Sequence, residues 1–182
     1  MKRAMPWVLM LMTGVAAAQG LAPANTEPNA NVAGERAEDA VVAADAIAKL
    51  PSETNARIDN MLIHALSLIG VKYQYGGNSS EKGFDCSGFV RHVFAETMAM
   101  DLPRSSYGMS RLGAPVGKGA LQPGDLLFYN TLKRHFSHVA IYLGEGRFVH
   151  APSRGKSVEI VDMTDAYWVK RFNGARRMTG EK

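Results

Sequence analysis

Phe84-Asp85-Cys86-Ser87-Gly88-Phe89-Val90 is the stretch on which the reading of this chain turns. Phe89, Val90, Val93 and Phe94 recur on one face at helical spacing, so a helix begins near Asp85 and carries Cys86 in its first turn. Unpaired N–H groups and the positive dipole end at a helix start favour thiolate over thiol. Such placement lowers a cysteine pKa from about 8.5 into roughly the 3.5–7.5 range. Cys86 is the one cysteine among 182 residues, so an intrachain disulfide is excluded. A buried structural cysteine is the alternative. The polar neighbours Asp85 and Ser87, and the oxidising compartment implied below, argue for a reactive one.

On the N-terminal side, Ser52 can cap a helix in which Ile58, Met61, Leu62, Ala65, Leu66 and Ile69 form the apolar stripe and Gly70 the stop. Residues 73–77 lead into a polar loop over 78–83. Past Pro103 the pattern changes. Residues 126–129, 138–143, 147–151, 158–161 and 172–178 are short, β-branched or aromatic, and bounded by Gly, Pro or Asp. Helices followed by strands imply an α+β fold, with N-terminal helices packed on an antiparallel sheet of about five strands.

The whole chain is 46% hydrophobic and 21% charged, a globular composition that excludes collagen-like and fully disordered classes. Lys2 and Arg3 precede an apolar stretch from Trp7 to Ala18, too short for a bilayer span of about 20 residues. With Ala16-Ala17-Ala18 as a small-residue cleavage site, residues 1–18 read as an export signal, and no cysteine there offers a lipid anchor. Residues 19–54 form an acidic leader: a linker over 19–34, then an Ala-rich helix over 37–50 that Pro51 stops. Arg36 and Lys49 face six acidic residues in this leader, net −4, whereas residues 55–182 hold 17 basic and 11 acidic residues, net +6. The basic body suits an anionic partner. Nucleic acid is set aside, because the basic residues are scattered and the product is exported. Residues 55–182 suffice for one domain, with no repeat, no second domain and no membrane span.

A nucleophilic thiol needs an imidazole base held by a third group. His64 and His92 lie off their helical stripes and read as solvated, and the His135/His138 spacing alone is too common to mark a metal site. His138 opens one strand and His150 lies on the strand that returns from Gly144-Glu145-Gly146. A three-residue turn puts both imidazoles on one face; a two-residue turn at Glu145-Gly146 separates them. Cys86, His138 and His150 also compose a Cys-His-His zinc set, an alternative that stays open here.

Six stretches in order carry a resemblance: Tyr73-Gln74-Tyr75-Gly76-Gly77, Phe84 to Val90, Leu102-Pro103-Arg104-Ser105-Ser106, Leu121 to Leu126, Ser137 to Gly144, and Val149-His150-Ala151-Pro152. Together they resemble the NlpC-type cell-wall cysteine peptidases, with the small periplasmic murein endopeptidases most alike. The resemblance implies a papain-like fold and hydrolysis of peptide bonds in peptidoglycan stem peptides or their cross-links. It makes Cys86 the nucleophile, His138 the base and His150 the group that orients it, without cofactor or metal. Tyr73 then serves the oxyanion, and Asp85, Ser87, Arg104 and Ser105 the substrate groove. A monomer is expected, and because an unrestrained wall hydrolase would be lethal, an envelope protein regulator is expected too, with residues 19–54 as the docking or tethering segment. Met109 stands where the family often has Gln, and Ala140 where it has Gly. The competing reading is a non-catalytic domain that binds cell wall or another envelope protein.

Overall fold

A computed structural model describes residues 53–132 and 134–178; the expected export signal over 1–18 and the expected leader up to residue 52 lie outside them. Helix α1 spans 53–67 and buries Met61 and Ala65, with Leu68 in the turn that follows. Leu66 and Ile69, expected in its stripe, are exposed. The helix ends before Ile69, so helical periodicity no longer governs that side chain. Where a polar loop was expected, β1 (Asn78–Ser79) and β2 (Gly83–Phe84) form a two-stranded hairpin. Helix α2 (Cys86–Met98) follows directly, and its face of Phe89, Val90, Val93 and Phe94 is buried as the spacing requires.

The sheet has six strands, not five. After the short helix α3 (Ser106–Met109), β3 (Ala114–Val116) adds an edge that the sequence does not announce, being Ala-Pro-Val with no alternation. The others are β4 (Leu126–Tyr129), β5 (His138–Gly144), β6 (Arg147–His150), β7 (Glu159–Asp162) and β8 (Phe172–Arg177), with the short helix α4 (Ala166–Val169) before β8. All pairings are antiparallel, in the order β3-β8-β4-β5-β6-β7.

Strand alternation divides the interior into two layers. Leu126, Phe128, Val139, Ile141 and Val149 meet α1 and α2. Leu127, Tyr129, Ala140, Tyr142, Phe148 and Ala175 pack with Trp168 and Phe172 on the other face. Both alternatives for the β5–β6 turn are partly realised. Gly144 pairs with Arg147, so the tip is the two-residue turn Glu145-Gly146, with positive φ at both positions. Leu143 is then an extra residue on β5, because Tyr142 pairs with Phe148 and Ile141 with Val149. This bulge restores the register that places His138 and His150 on one face.

The start of α2 is packed against backbone. A Cβ on Gly88 would clash with the Gly77 carbonyl oxygen. Gly88→Ala is therefore expected to destabilise the fold by about 1–3 kcal/mol through overpacking, despite a helix-propensity gain of roughly 1 kcal/mol. Denaturant unfolding measures the sign; a stabilised variant would contradict the close packing.

Candidate active site

Asp85 is the N-cap of α2 and is nearly buried. Its Oδ1 accepts from Gly88 N–H at 2.7 Å, Arg104 Nη1 at 3.0 Å and the Ser87 hydroxyl at 3.2 Å. Its Oδ2 accepts from Arg104 Nη2 at 2.6 Å and Gly76 N–H at 3.0 Å. Burial pushes this carboxyl upward, but the Arg104, Gly88 and Gly76 hydrogen bonds outweigh it and hold the group below the usual carboxylate range. Arg104 also reaches Ser87 Oγ at 3.0 Å.

Cys86 follows, with its sulfur against the Ser87 and Val139 backbone N–H groups, beside the start of β5. Burial pushes its thiol up and the Asp85 charge adds to that, against the donors of the helix start and Val139. The lowered pKa expected from helix position alone is therefore not realised, since desolvation and an adjacent carboxylate oppose the helix end. Tyr73 lies close enough for its phenol to feel both Cys86 and Asp85, and burial, the largest effect, raises it.

His138 is buried on the Trp168 face, and its Nε2 shares a hydrogen bond of 2.8 Å with His150 Nδ1. The rings are perpendicular, and Trp168 covers both, at 5.7 Å from His138 and 5.1 Å from His150. Burial lowers His138 to about 4 and holds His150 down as well. The turn before His138 is held on three sides. Phe136 adopts a positive φ of 54°, donates its N–H to Asn173 Oδ1 at 2.9 Å and accepts from the Ser106 hydroxyl at 2.7 Å. Ser137 Oγ accepts from the Thr131 and Leu132 N–H groups.

The remaining sequence candidates separate. Ser105 is exposed and its hydroxyl caps α3 by accepting from Gly108 N–H at 3.1 Å. Met109 is fully buried in the core, so its position offers substrate nothing polar. His64 and His92, expected in solvent, are half-buried and face each other at 5.5 Å. Periodicity assigns such residues to a flank but cannot show that two flanks meet. Trp168, Ser106 and Glu159 are site neighbours that sequence reasoning missed; only the tryptophan, rare in this chain, carried a signal. Because His138 Nε2 and His150 Nδ1 point at each other, the Cys-His-His set does not converge as metal ligands. A cleft of about 460 Å³ borders His138, Trp168, Lys156 and Glu159, while a larger one of about 800 Å³ beside α1 shares no residue with the site.

A helix-borne thiol against the head of the strand that bears one imidazole, with a second imidazole hydrogen-bonded to the first, is the arrangement of a papain-like domain. The chain belongs to the NlpC/P60 family, whose model matches residues 70–177. It is 44% identical over 109 residues to the murein DD-endopeptidase MepS/murein LD-carboxypeptidase of Escherichia coli K12, covering 60% of this chain and 56% of that protein. Identity to the murein DD-endopeptidase MepH of the same organism is 36% over 117 residues, or 63% and 43% of the two chains. The chain thus spans about half the length of these curated relatives. A solved NlpC/P60 family protein from Bacillus cereus ATCC 10987 superposes with a TM-score of 0.62 at 35% identity, covering 66% of this chain and 39% of that one.

The Asp85 hydrogen bonds make stability depend on pH. A carboxyl with a depressed native pKa stabilises the fold above its unfolded value of 3.8, and that contribution is lost as pH falls through the native value. Asp85→Asn is expected to lower Tm at neutral pH, with the gap to wild type narrowing below about pH 4. A gap independent of pH would show that Asp85 is not stabilised as an anion.

Proposed function

We propose that this protein is an exported cysteine endopeptidase that hydrolyses peptide bonds in peptidoglycan stem peptides or their cross-links. The observation that carries the reading is the 2.8 Å His138–His150 hydrogen bond, with the helix-start thiol against the backbone N–H of Val139, the residue that follows His138. With Nε2 held by His150, His138 keeps its other nitrogen for Cys86. Burial leaves the thiol protonated and the imidazole neutral at rest, so the proton moves as attack begins. Cys86 Sγ bonds to the scissile carbonyl carbon while its proton passes to His138. The Cys86 N–H and the Tyr73 hydroxyl donate to the oxyanion, each such donor being worth about 2.7–4 kcal/mol. Collapse breaks the C–N bond, and the amine leaves with the proton from His138. Water, deprotonated by His138, then releases the acyl group and restores the thiol.

Asp85, Ser87 and Arg104 form the substrate-side wall. The Arg104 side chain, 41% exposed, retains guanidinium surface for a stem-peptide carboxylate while its fork is held by Asp85. The names of the relatives, murein DD-endopeptidases, support murein as the substrate. Residues 1–18 act as the export address and 19–54 as a tether or docking segment for an envelope regulator. No described helix is long and apolar enough to cross a membrane.

Mass spectrometry of defined muropeptides tests the proposal. Wild type is expected to convert cross-linked dimers to monomers, or to cut within the stem, and the product masses identify the bond. Cys86→Ala should lose about 10³-fold or more of this activity with its fold intact; unimpaired cleavage by that variant refutes the reading and leaves a binding domain. Because His138 must be unprotonated to act as base, activity should persist at acid pH and fall only as pH drops through about 4. An acid limb at the ordinary histidine value of about 6.5 would show that the dry imidazole pair does not set the profile.

A further inference from the structure

The two ring nitrogens of His150 have unequal fates. Nδ1 is bonded to His138, whereas Nε2 is buried and, among the described residues, nothing hydrogen-bonds it. For His138 to accept the Cys86 proton, its Nε2 must carry hydrogen and donate to His150 Nδ1. The single ring proton of His150 is then on Nε2, where it lacks an acceptor. A buried unpaired donor costs about 1–3 kcal/mol. The opposite arrangement, in which His150 donates to His138 and His138 carries its proton on the nitrogen left for the thiol, leaves an unpaired lone pair at the same atom, so without an acceptor there nothing commits the pair to the first arrangement. In that tautomer His138 is no base.

The register of β6 and β7 places a remedy opposite. Glu159 is the direct cross-strand partner of His150, and its Oε1 lies 3.8 Å from His150 Nε2. The carboxylate is 41% exposed, free to swing the ~1 Å that makes this a hydrogen bond. Lys156 Nζ stands 3.4 Å from the same oxygen and draws it outward. The groups facing His150 are thus His138 from β5, Glu159 from β7, Lys156 from the turn before β7, and the uncharged Phe148 and Trp168 rings.

We propose that Glu159 is a positioning residue of the hydrolytic site: its carboxylate accepts the His150 Nε2 proton and so commits His138 to the tautomer that takes the proton of Cys86. Its consequence for turnover rests on the hydrolase reading above, but the tautomer does not. Two readouts therefore separate the failure of one from the failure of the other.

Ring ¹⁵N NMR of the full chain without substrate reports which His150 nitrogen is protonated. Wild type and Glu159→Gln, whose amide oxygen still accepts, should show the proton on Nε2; Glu159→Leu should move it wholly or partly to Nδ1. In muropeptide hydrolysis, Glu159→Leu is expected to lose about tenfold in kcat, with KM little changed, and Glu159→Gln to recover most of it. Lys156→Ala leaves Glu159 in place and frees its carboxylate, so the His150 Nε2–H resonance should move downfield, a result that needs no folded Leu variant. An unchanged tautomer in Glu159→Leu, an equal loss in Glu159→Gln, or an unmoved resonance in Lys156→Ala overturns the proposal. Inactivity of wild type together with the expected tautomer shifts would instead refute the hydrolase reading alone.

Discussion

One carboxylate organises this domain. Asp85 accepts hydrogen bonds from two backbone N–H groups, one hydroxyl and both terminal nitrogens of Arg104, and so it joins three segments of the chain. Through Gly76 it holds the segment that bears Tyr73, and through Gly88 it starts α2. Through Arg104 it anchors the loop that enters α3. A buried charge needs this many partners, since an unpaired one would lose its hydration without compensation. The thiol next to it takes its place from that cap, since Cys86 is the first residue of α2.

The second constraint is dryness. Trp168 covers both imidazoles and Phe148 packs on His150, with Tyr129 stacked behind these two rings, so neither buried imidazole is stabilised as a cation by solvent. Desolvation likewise keeps the thiol neutral, and Asp85 sets a negative charge beside it. At rest the thiol and both imidazoles are uncharged, and the charge beside them is the Asp85–Arg104 ion pair. Position at a helix start is therefore an incomplete guide to thiol acidity: it counts the dipole and omits the burial.

Local patterns located much of the architecture. The stripe of α2 was legible because its side chains recur with the helical period, and the core strands β4, β5 and β6 because they are short β-branched or aromatic runs bounded by Gly, Pro or Asp. The hairpin of β1 and β2 was not, since its four residues are too few to show alternation, and Ala114-Pro115-Val116 is paired only because β8 lies alongside it. Leu143 illustrates a different limit. Its bulge decides whether His138 and His150 meet, yet nothing in Ile141-Tyr142-Leu143-Gly144 marks which residue is extra. Glycines 144 and 146 announce a turn, whereas the register behind it depends on how Phe148 and Val149 pack.

Among the ingredients of the site, the sequence by itself determined the residue types and their order: a capped helix start bearing the only thiol, followed by two histidines on adjacent strands. Those features are local, and chain chemistry alone sets them. Tertiary structure decided which groups share a surface. It spent Ser105 on a helix cap, buried Met109, brought Trp168 over the imidazoles from a short helix far along the chain, and paired Glu159 with His150 across β6 and β7. Contacts of this kind depend on strand order and burial, and these exist only once the whole sheet has closed around its two cores.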